Sequence, residues 1–121
     1  MSSILIVDDE FGLAEMTGEL LVIAGFRVAT AINGKLALAS LNQMRPDLIL
    51  LDVMMPIMSG PEMLAALKAD PQYRDIPVIM MSAVGPSAID DKTLALVAGF
   101  LQKPFTYDQL TVAINGVLPK P

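Results

Sequence analysis

Apolar runs of strand length alternate with stretches of helical period from one end of the chain to the other, the arrangement that βαβ units in a parallel sheet produce. Five such repeats can be counted. The spacing predicts strands near Ile4–Val7, Arg27–Ala31, Leu48–Leu51, Ile76–Met81 and Gly99–Gln102. The first, third and fourth are almost unbroken Ile, Leu, Val and Met, as strands covered on both faces should be. Helices are expected over Phe11–Ala24, Gly34–Met44, from Pro61 up to Pro71, Ser87–Leu96 and Tyr107–Leu118. Leu13, Met16, Leu20 and Ile23 form the stripe through which the first helix is expected to pack, and Gly25 stands where a helix commonly stops. Asn33 suits the N-cap of the second, and Pro61 the first position of the third. The fourth is weakly marked, with Gly85 and Pro86 pointing to an irregular loop before it. In the fifth, Leu110, Ile114 and Val117 recur at core spacing. The methionines at 54, 55, 58, 63, 80 and 81 are expected to fill the core.

Composition narrows the class. With 121 residues, 54% of them hydrophobic, one domain spanning 1–121 around one core is expected, residues 118–121 forming a tail or the start of a linker. No apolar stretch approaches the roughly 18 residues of a membrane span, and the amino terminus enters a strand pattern without a signal core. A cytoplasmic protein without membrane contact is expected. Thirteen acidic against eight basic residues give a net charge of -5, and the positive charges do not cluster, which argues against direct nucleic-acid binding. The chain has no cysteine and no histidine. That excludes a thiolate nucleophile, a Ser-His-Asp triad and histidine metal sites, so any phosphohistidine must come from another protein.

Four of the predicted strands run into residues able to do chemistry: Asp8 and Asp9, Asp52, Ser82 and Lys103. Parallel strands bring their carboxyl ends to one edge of the sheet, so these groups would share a crevice. An Asp-Asp pair alone fits a solvated turn or a helix cap. Asp52 changes the reading, because a carboxylate ending a fully apolar run needs a partner to stay ionised. Three carboxylates within about 4–5 Å repel by several kcal/mol at an effective dielectric of about 20. Lys103 and Mg²⁺, a hard cation that takes carboxylates, waters and phosphate oxygens, supply the missing positive charge. Asp52 is then placed to attack phosphorus and form an acyl phosphate, with Ser82 offering a hydroxyl and Lys103 a point charge to the phosphoryl oxygens.

The combination resembles a known family. Asp8-Asp9 after the first strand, Asp52 followed by Met55-Pro56-Ile57-Met58-Ser59-Gly60-Pro61-Glu62-Met63-Leu64, Ser82-Ala83 after the fourth and Lys103-Pro104-Phe105 after the fifth are similar to the receiver domain of two-component response regulators. The similarity covers nearly the whole chain. It implies an α/β fold, a doubly wound five-stranded parallel sheet flanked by five helices in the flavodoxin-like order 2-1-3-4-5. It also implies that Asp52 accepts a phosphoryl group from a histidine kinase or histidine phosphotransfer protein, and that the resulting shape change alters binding to a downstream protein. By the same resemblance Asp9, Asp52 and the backbone carbonyl of Met54 ligate Mg²⁺, with Asp8 acting directly or through water. Ser82 and Ala83 take the phosphate-binding switch position, Lys103 pairs with phosphate across a cis bond to Pro104, and Phe100 is the switch aromatic.

Some features depart from the family pattern. Leu96-Val97 stands where relatives usually carry Gly-Ala, so the fourth helix is expected to be short or displaced. Met54 is apolar where some relatives carry a polar side chain that orients attacking water, and slow self-dephosphorylation follows. On the first helix, Phe11, Ala14, Gly18 and Val22 form a second row, in which Gly18 costs about 1 kcal/mol relative to Ala without a local reason in the sequence. That row is expected to dock the phosphodonor. A phosphorylation-independent interaction module is the alternative. An Asp-nucleophile phosphatase is disfavoured because Met54 occupies the place of its second acid, and no P-loop follows the first strand.

Overall fold

A computed structural model describes residues 2–118 of the chain. The elements follow in the order β1 (Ser3–Val7), α1 (Phe11–Ile23), β2 (Arg27–Ala31), α2 (Gly34–Ser40), β3 (Leu48–Asp52), α3 (Gly60–Ala69), β4 (Val78–Ser82), a 3-10 turn (Pro86–Ala88), α4 (Asp91–Leu94), β5 (Gly99–Gln102) and α5 (Tyr107–Asn115). The strands form one sheet in the order β2-β1-β3-β4-β5, every pairing parallel. This is the doubly wound arrangement and strand order expected above. Residues 119–121, most of the expected tail, lie outside the described residues.

The three central strands are buried along their whole length, and side-chain alternation divides them between two cores. Leu5, Val7, Ile49, Leu51, Val78 and Met80 meet Leu64 and Leu67 of α3 on one face. On the other face Ile4, Ile6, Leu48, Leu50, Ile79 and Met81 meet Ala14 and Leu21 of α1 and Leu110 and Ile114 of α5. The fourth strand starts at Val78 rather than Ile76, because the Ile76 N–H closes a turn onto the Tyr73 carbonyl and Pro77 has no N–H to donate. The second helix stops at Ser40, whose hydroxyl donates back to the Ala37 carbonyl at 2.7 Å.

The first helix turns a different face to the sheet than its apolar stripe suggests. Its buried positions are Ala14, Thr17, Gly18 and Leu21, while Met16 and Ile23 are exposed. Gly18 has a local reason after all. A Cβ there would lie 3.3 Å from Val28 Cγ1 and 3.7 Å from Ile6 Cδ1, so its missing side chain lets α1 approach β1 and β2 closely. As expected, α4 is short, a single turn capped by the Asp90 carboxylate accepting from the Thr93 N–H at 2.6 Å. Of the methionines, Met63, Met80 and Met81 are core, but Met54 is 74% exposed.

The loop between β3 and α3 is held from both ends. The Gly60 N–H donates to the Val53 carbonyl at 2.9 Å, and a Cβ on Gly60 would fall 2.3 Å from the Asp52 carbonyl oxygen. Ser59 and Glu62 form a reciprocal capping box, at 2.9 Å and 3.3 Å, that fixes where α3 begins. Between these anchors Ile57 has φ 70°, a conformation costing a β-branched residue roughly 1–2 kcal/mol. Ile57→Asn should therefore raise the unfolding free energy by about 1 kcal/mol, whereas Gly60→Ala should lower it by about 1–3 kcal/mol by forcing the loop off Asp52. Urea denaturation of both variants checks the opposite signs.

Candidate functional site

The carboxyl ends of β1, β3 and β5 deliver three charged groups to one point. Asp8, directly after β1, is anchored by its N–H donating to the Ala31 carbonyl at 3.0 Å and is buried. One of its carboxylate oxygens accepts from the Glu10 N–H at 2.9 Å, leaving the other to accept from the Lys103 ammonium at 2.8 Å. The same ammonium lies 3.4 Å from Asp52 Oδ1 and 3.6 Å from Glu10 Oε1. Lys103 is aimed there by its backbone: its N–H donates to the Ser82 carbonyl at 2.8 Å, extending the β4–β5 pairing by one step, and its bond to Pro104 is cis.

Asp8, Glu10 and Asp52 present one oxygen each, all within 4.8 Å of one another. Burial and the neighbouring Asp8 charge push the Asp52 carboxyl up to about 6, more than Lys103 pulls it back. For Lys103, burial works against the charged form, but the hydrogen bond to Asp8 and the charges of Asp52, Asp8 and Glu10 outweigh it and raise its pKa. One ammonium therefore faces three carboxylates. Hard oxygen donors in this number, with negative charge in excess, fit a divalent cation such as Mg²⁺.

Asp9 lies apart from this trio. Consecutive side chains on an extended segment point to opposite sides, so with Asp8 turned inward, Asp9 is exposed and lines a neighbouring crevice with Val53, Met54, Met55, Pro56, Ser59 and Pro61. Glu10 joins Asp8 instead, a residue the sequence reading passed over although it shares the parity of Asp8 two positions on. Ser82 is buried at the end of β4, where its Oγ accepts from the Val84 N–H at 3.2 Å. Its own O–H is not used in that bond. Ala83 is exposed beside it. Phe100, opposite Met80 in the sheet register, is half-buried against the core on the α3 side, as are Leu94 and Val97.

The second row on α1 is not the open surface its spacing suggests. Ala14 and Gly18 are buried and only Phe11 and Val22 are exposed. The four residues instead form the floor and wall of a groove of about 620 Å³ between α1 and β2, which reaches Asp8 at one end. Among the described residues no helix is long and apolar enough to cross a membrane.

Comparison with known proteins agrees with this geometry. The family model of the response regulator receiver domain matches residues 4–115. The chain is 37% identical over 118 residues to the transcriptional regulatory protein PrrA of Mycobacterium tuberculosis, covering 95% of this chain and 49% of PrrA. It is 40% identical over 119 residues to the phosphate regulon transcriptional regulatory protein PhoB of Pseudomonas aeruginosa, covering 96% of this chain and 51% of PhoB. The chain thus spans about half the length of these relatives. Among solved structures, the chemotaxis response regulator CheY4 of Vibrio cholerae matches with a TM-score of 0.90 at 34% identity, covering 98% of this chain and 99% of that one. The response regulator TrrA of Thermotoga maritima, solved in complex with Mg²⁺-BeF, matches with a TM-score of 0.87 at 30% identity, covering 98% and 100%. Since the matched segment takes in all five strands but for Ser3, together with the acids, hydroxyl and lysine at their carboxyl ends, the chain belongs to the response regulator receiver domain family.

Proposed function

We propose that this chain is a Mg²⁺-dependent phosphoacceptor switch in a cytoplasmic two-component phosphorelay. Asp52 takes a phosphoryl group from a phosphohistidine of a partner kinase or histidine phosphotransfer protein, and the rearrangement that follows changes binding to a downstream protein. The observation that carries this reading is the Lys103 ammonium between Asp8, at 2.8 Å, and Asp52, at 3.4 Å. A carboxylate oxygen of Asp52 forms the new bond to phosphorus as the bond from phosphorus to the donor imidazole breaks, and the imidazole nitrogen keeps that electron pair. Lys103 then faces the phosphoryl oxygens, and the unused O–H of Ser82 can donate to one of them. Phe100 has no phenolic hydroxyl, so its response to a moving Ser82 is steric. The domain is a phosphoacceptor rather than a turnover enzyme, and its own chemistry is limited to gaining and slowly losing this group.

The buried Asp8 and Asp52 would hold Mg²⁺, with the Met54 carbonyl and the exposed carboxylates of Asp9 and Glu10 as further oxygen donors. When bound, the ion supplies the charge that one lysine cannot, for the acids and for the incoming phosphoryl oxygens alike. The Mg²⁺-BeF complex of TrrA supports this assignment. The phosphodonor approaches over the carboxyl edge and meets α1 at Phe11. Val22 lies about 17 Å further down the helix, at roughly 1.5 Å per residue. The docking surface is therefore the mouth of the site with Phe11, rather than the whole row.

Acetyl phosphate with Mg²⁺ should add one phosphoryl group to the wild type and none to Asp52→Ala, and chelation of the metal should abolish labelling. Mass spectrometry reads all three; an unmodified wild type would refute the assignment. In the same format Phe11→Ala should slow labelling by a phosphohistidine protein while sparing acetyl phosphate.

A raised Asp52 pKa also has a stability sign. Folding binds a proton more tightly than the unfolded chain does, so the contribution is fully present below the unfolded value of 3.8 and is lost as pH rises through about 6. Above that, the metal-free protein carries a penalty of about 1–3 kcal/mol, at roughly 1.36 kcal/mol per unit. Asp52→Asn should therefore stabilise the metal-free protein at pH 7.5, much less so at pH 4, and Mg²⁺ should narrow the difference. Urea midpoints across pH would show it. Met54, exposed and without a polar atom to orient water, should keep the acyl phosphate long-lived; Met54→Asn should hasten its decay several-fold, and equal lifetimes would remove Met54 from the account.

A further inference from the structure

The groove between α1 and β2 is not used by the chemistry described above beyond its contact with Asp8. Phe11, Val22 and Ile23 of α1 line it on one side, and Val28, Thr30 and Ile32 at and just beyond β2 on the other. Its volume of about 620 Å³ falls within the roughly 300–1,000 Å³ of ordinary binding clefts. Its apolar wall is unusually bare: Phe11 is 66%, Val22 58%, Ile23 78% and Ile32 51% exposed. Large apolar side chains clustered this way mark an interaction surface, whereas scattered ones do not.

Charge identifies the occupant. Every ionisable side chain lining the groove is an acid: Asp8 at its upper end, and Glu15 and Glu19, both exposed, on the helix above it. Among the described residues no lysine or arginine lines it. Glu15 and Glu19 are one turn apart on a single helical face, so they form an acidic rail beside the apolar wall. An anionic lipid or an acidic peptide would be repelled. From Phe11 to Ile23 the rail and wall run for about 18 Å, at roughly 1.5 Å per residue, or about three helical turns.

We propose that this groove binds an amphipathic helix of a partner protein, about three turns long, with an apolar stripe bordered by lysine or arginine. The stripe enters between α1 and β2 in the helix-in-groove manner, with anchors at i, i+3, i+4 and i+7, and the basic residues meet Glu15 and Glu19. Most of the groove lies below the mouth of the phosphoacceptor site, so binding needs neither Mg²⁺ nor a phosphodonor and stands independently of the function proposed above.

The probe is a fluorescein-labelled synthetic helix of fourteen residues, leucines on one face and lysines flanking them, titrated with the metal-free protein and followed by anisotropy and by amide NMR shifts. The lysine peptide should bind at least tenfold more tightly than the same peptide with glutamates in place of lysines, or than a scrambled one. Its shifts should map to residues 11–32. Glu15→Lys with Glu19→Lys should weaken binding at least tenfold, as should Val22→Ser several-fold, with circular dichroism verifying that each variant folds. Asp108→Lys, on α5 away from the groove, should leave affinity unchanged. Equal binding of the glutamate peptide, no response to the double charge reversal, shifts centred on α5, or no binding at millimolar concentration would each overturn the proposal. So would sedimentation showing a dimer that the same double variant abolishes, since the occupant would then be a second copy of this chain.

Discussion

One ammonium shared among carboxylates organises the carboxyl edge of this sheet. Lys103 touches Asp8 and comes within 3.4 Å of Asp52, tying the end of β5 to the ends of β1 and β3 across four of the five strands. Removing either partner from such a buried set leaves an uncompensated charge, which is why the three positions are interdependent. Their excess of negative charge is also the source of their chemistry. A site satisfied by its own lysine would have no use for a metal ion; this one is left short of positive charge, which a divalent cation would supply.

The support around that set is backbone rather than side chain. The Lys103 N–H is held by the Ser82 carbonyl, the Asp8 N–H by the Ala31 carbonyl and the Gly60 N–H by the Val53 carbonyl. Each reaches one residue past a regular element, so the sheet itself aims the functional groups. The loop after Asp52 shows what this demands locally: a glycine where any Cβ would strike the Asp52 carbonyl, a capped helix start, and an isoleucine held at positive φ.

Much of this was legible in the residue pattern, for a physical reason that also explains the failures. Strands buried on both faces read as continuous apolar runs, and β1, β3 and β4 stand out at once. The helices that alternate cleanly, such as α5 with Leu110 and Ile114, show their buried faces too. In α1, by contrast, large apolar residues occur on several sides, and hydrophobicity alone could not tell that the face with the least bulk, Ala14 and Gly18, is the one against the sheet. Close approach of backbones selects for small side chains, and a periodicity built on large ones points the wrong way. At the site, residue type and chain order brought Asp8, Asp52, Ser82 and Lys103 to one sheet edge, but which of Asp8, Asp9 and Glu10 turns inward depends on the local path of the chain after β1. Only the fold shows that Asp8 is buried while Asp9 and Glu10 stay exposed, Glu10 with one oxygen near those of Asp8 and Asp52.

Between β4 and β5 the chain is secured lightly: a three-residue 3-10 turn and a single turn of α4 stand where a full helix fits. So short a segment has more backbone groups at its ends than bonds within it, and owes its placement to the packing of Ile89, Leu94 and Val97. In a stretch held by so few bonds of its own, a tenfold shift between two arrangements would need only about 1.4 kcal/mol of preferential interaction with one of them, about the size of one hydrogen bond.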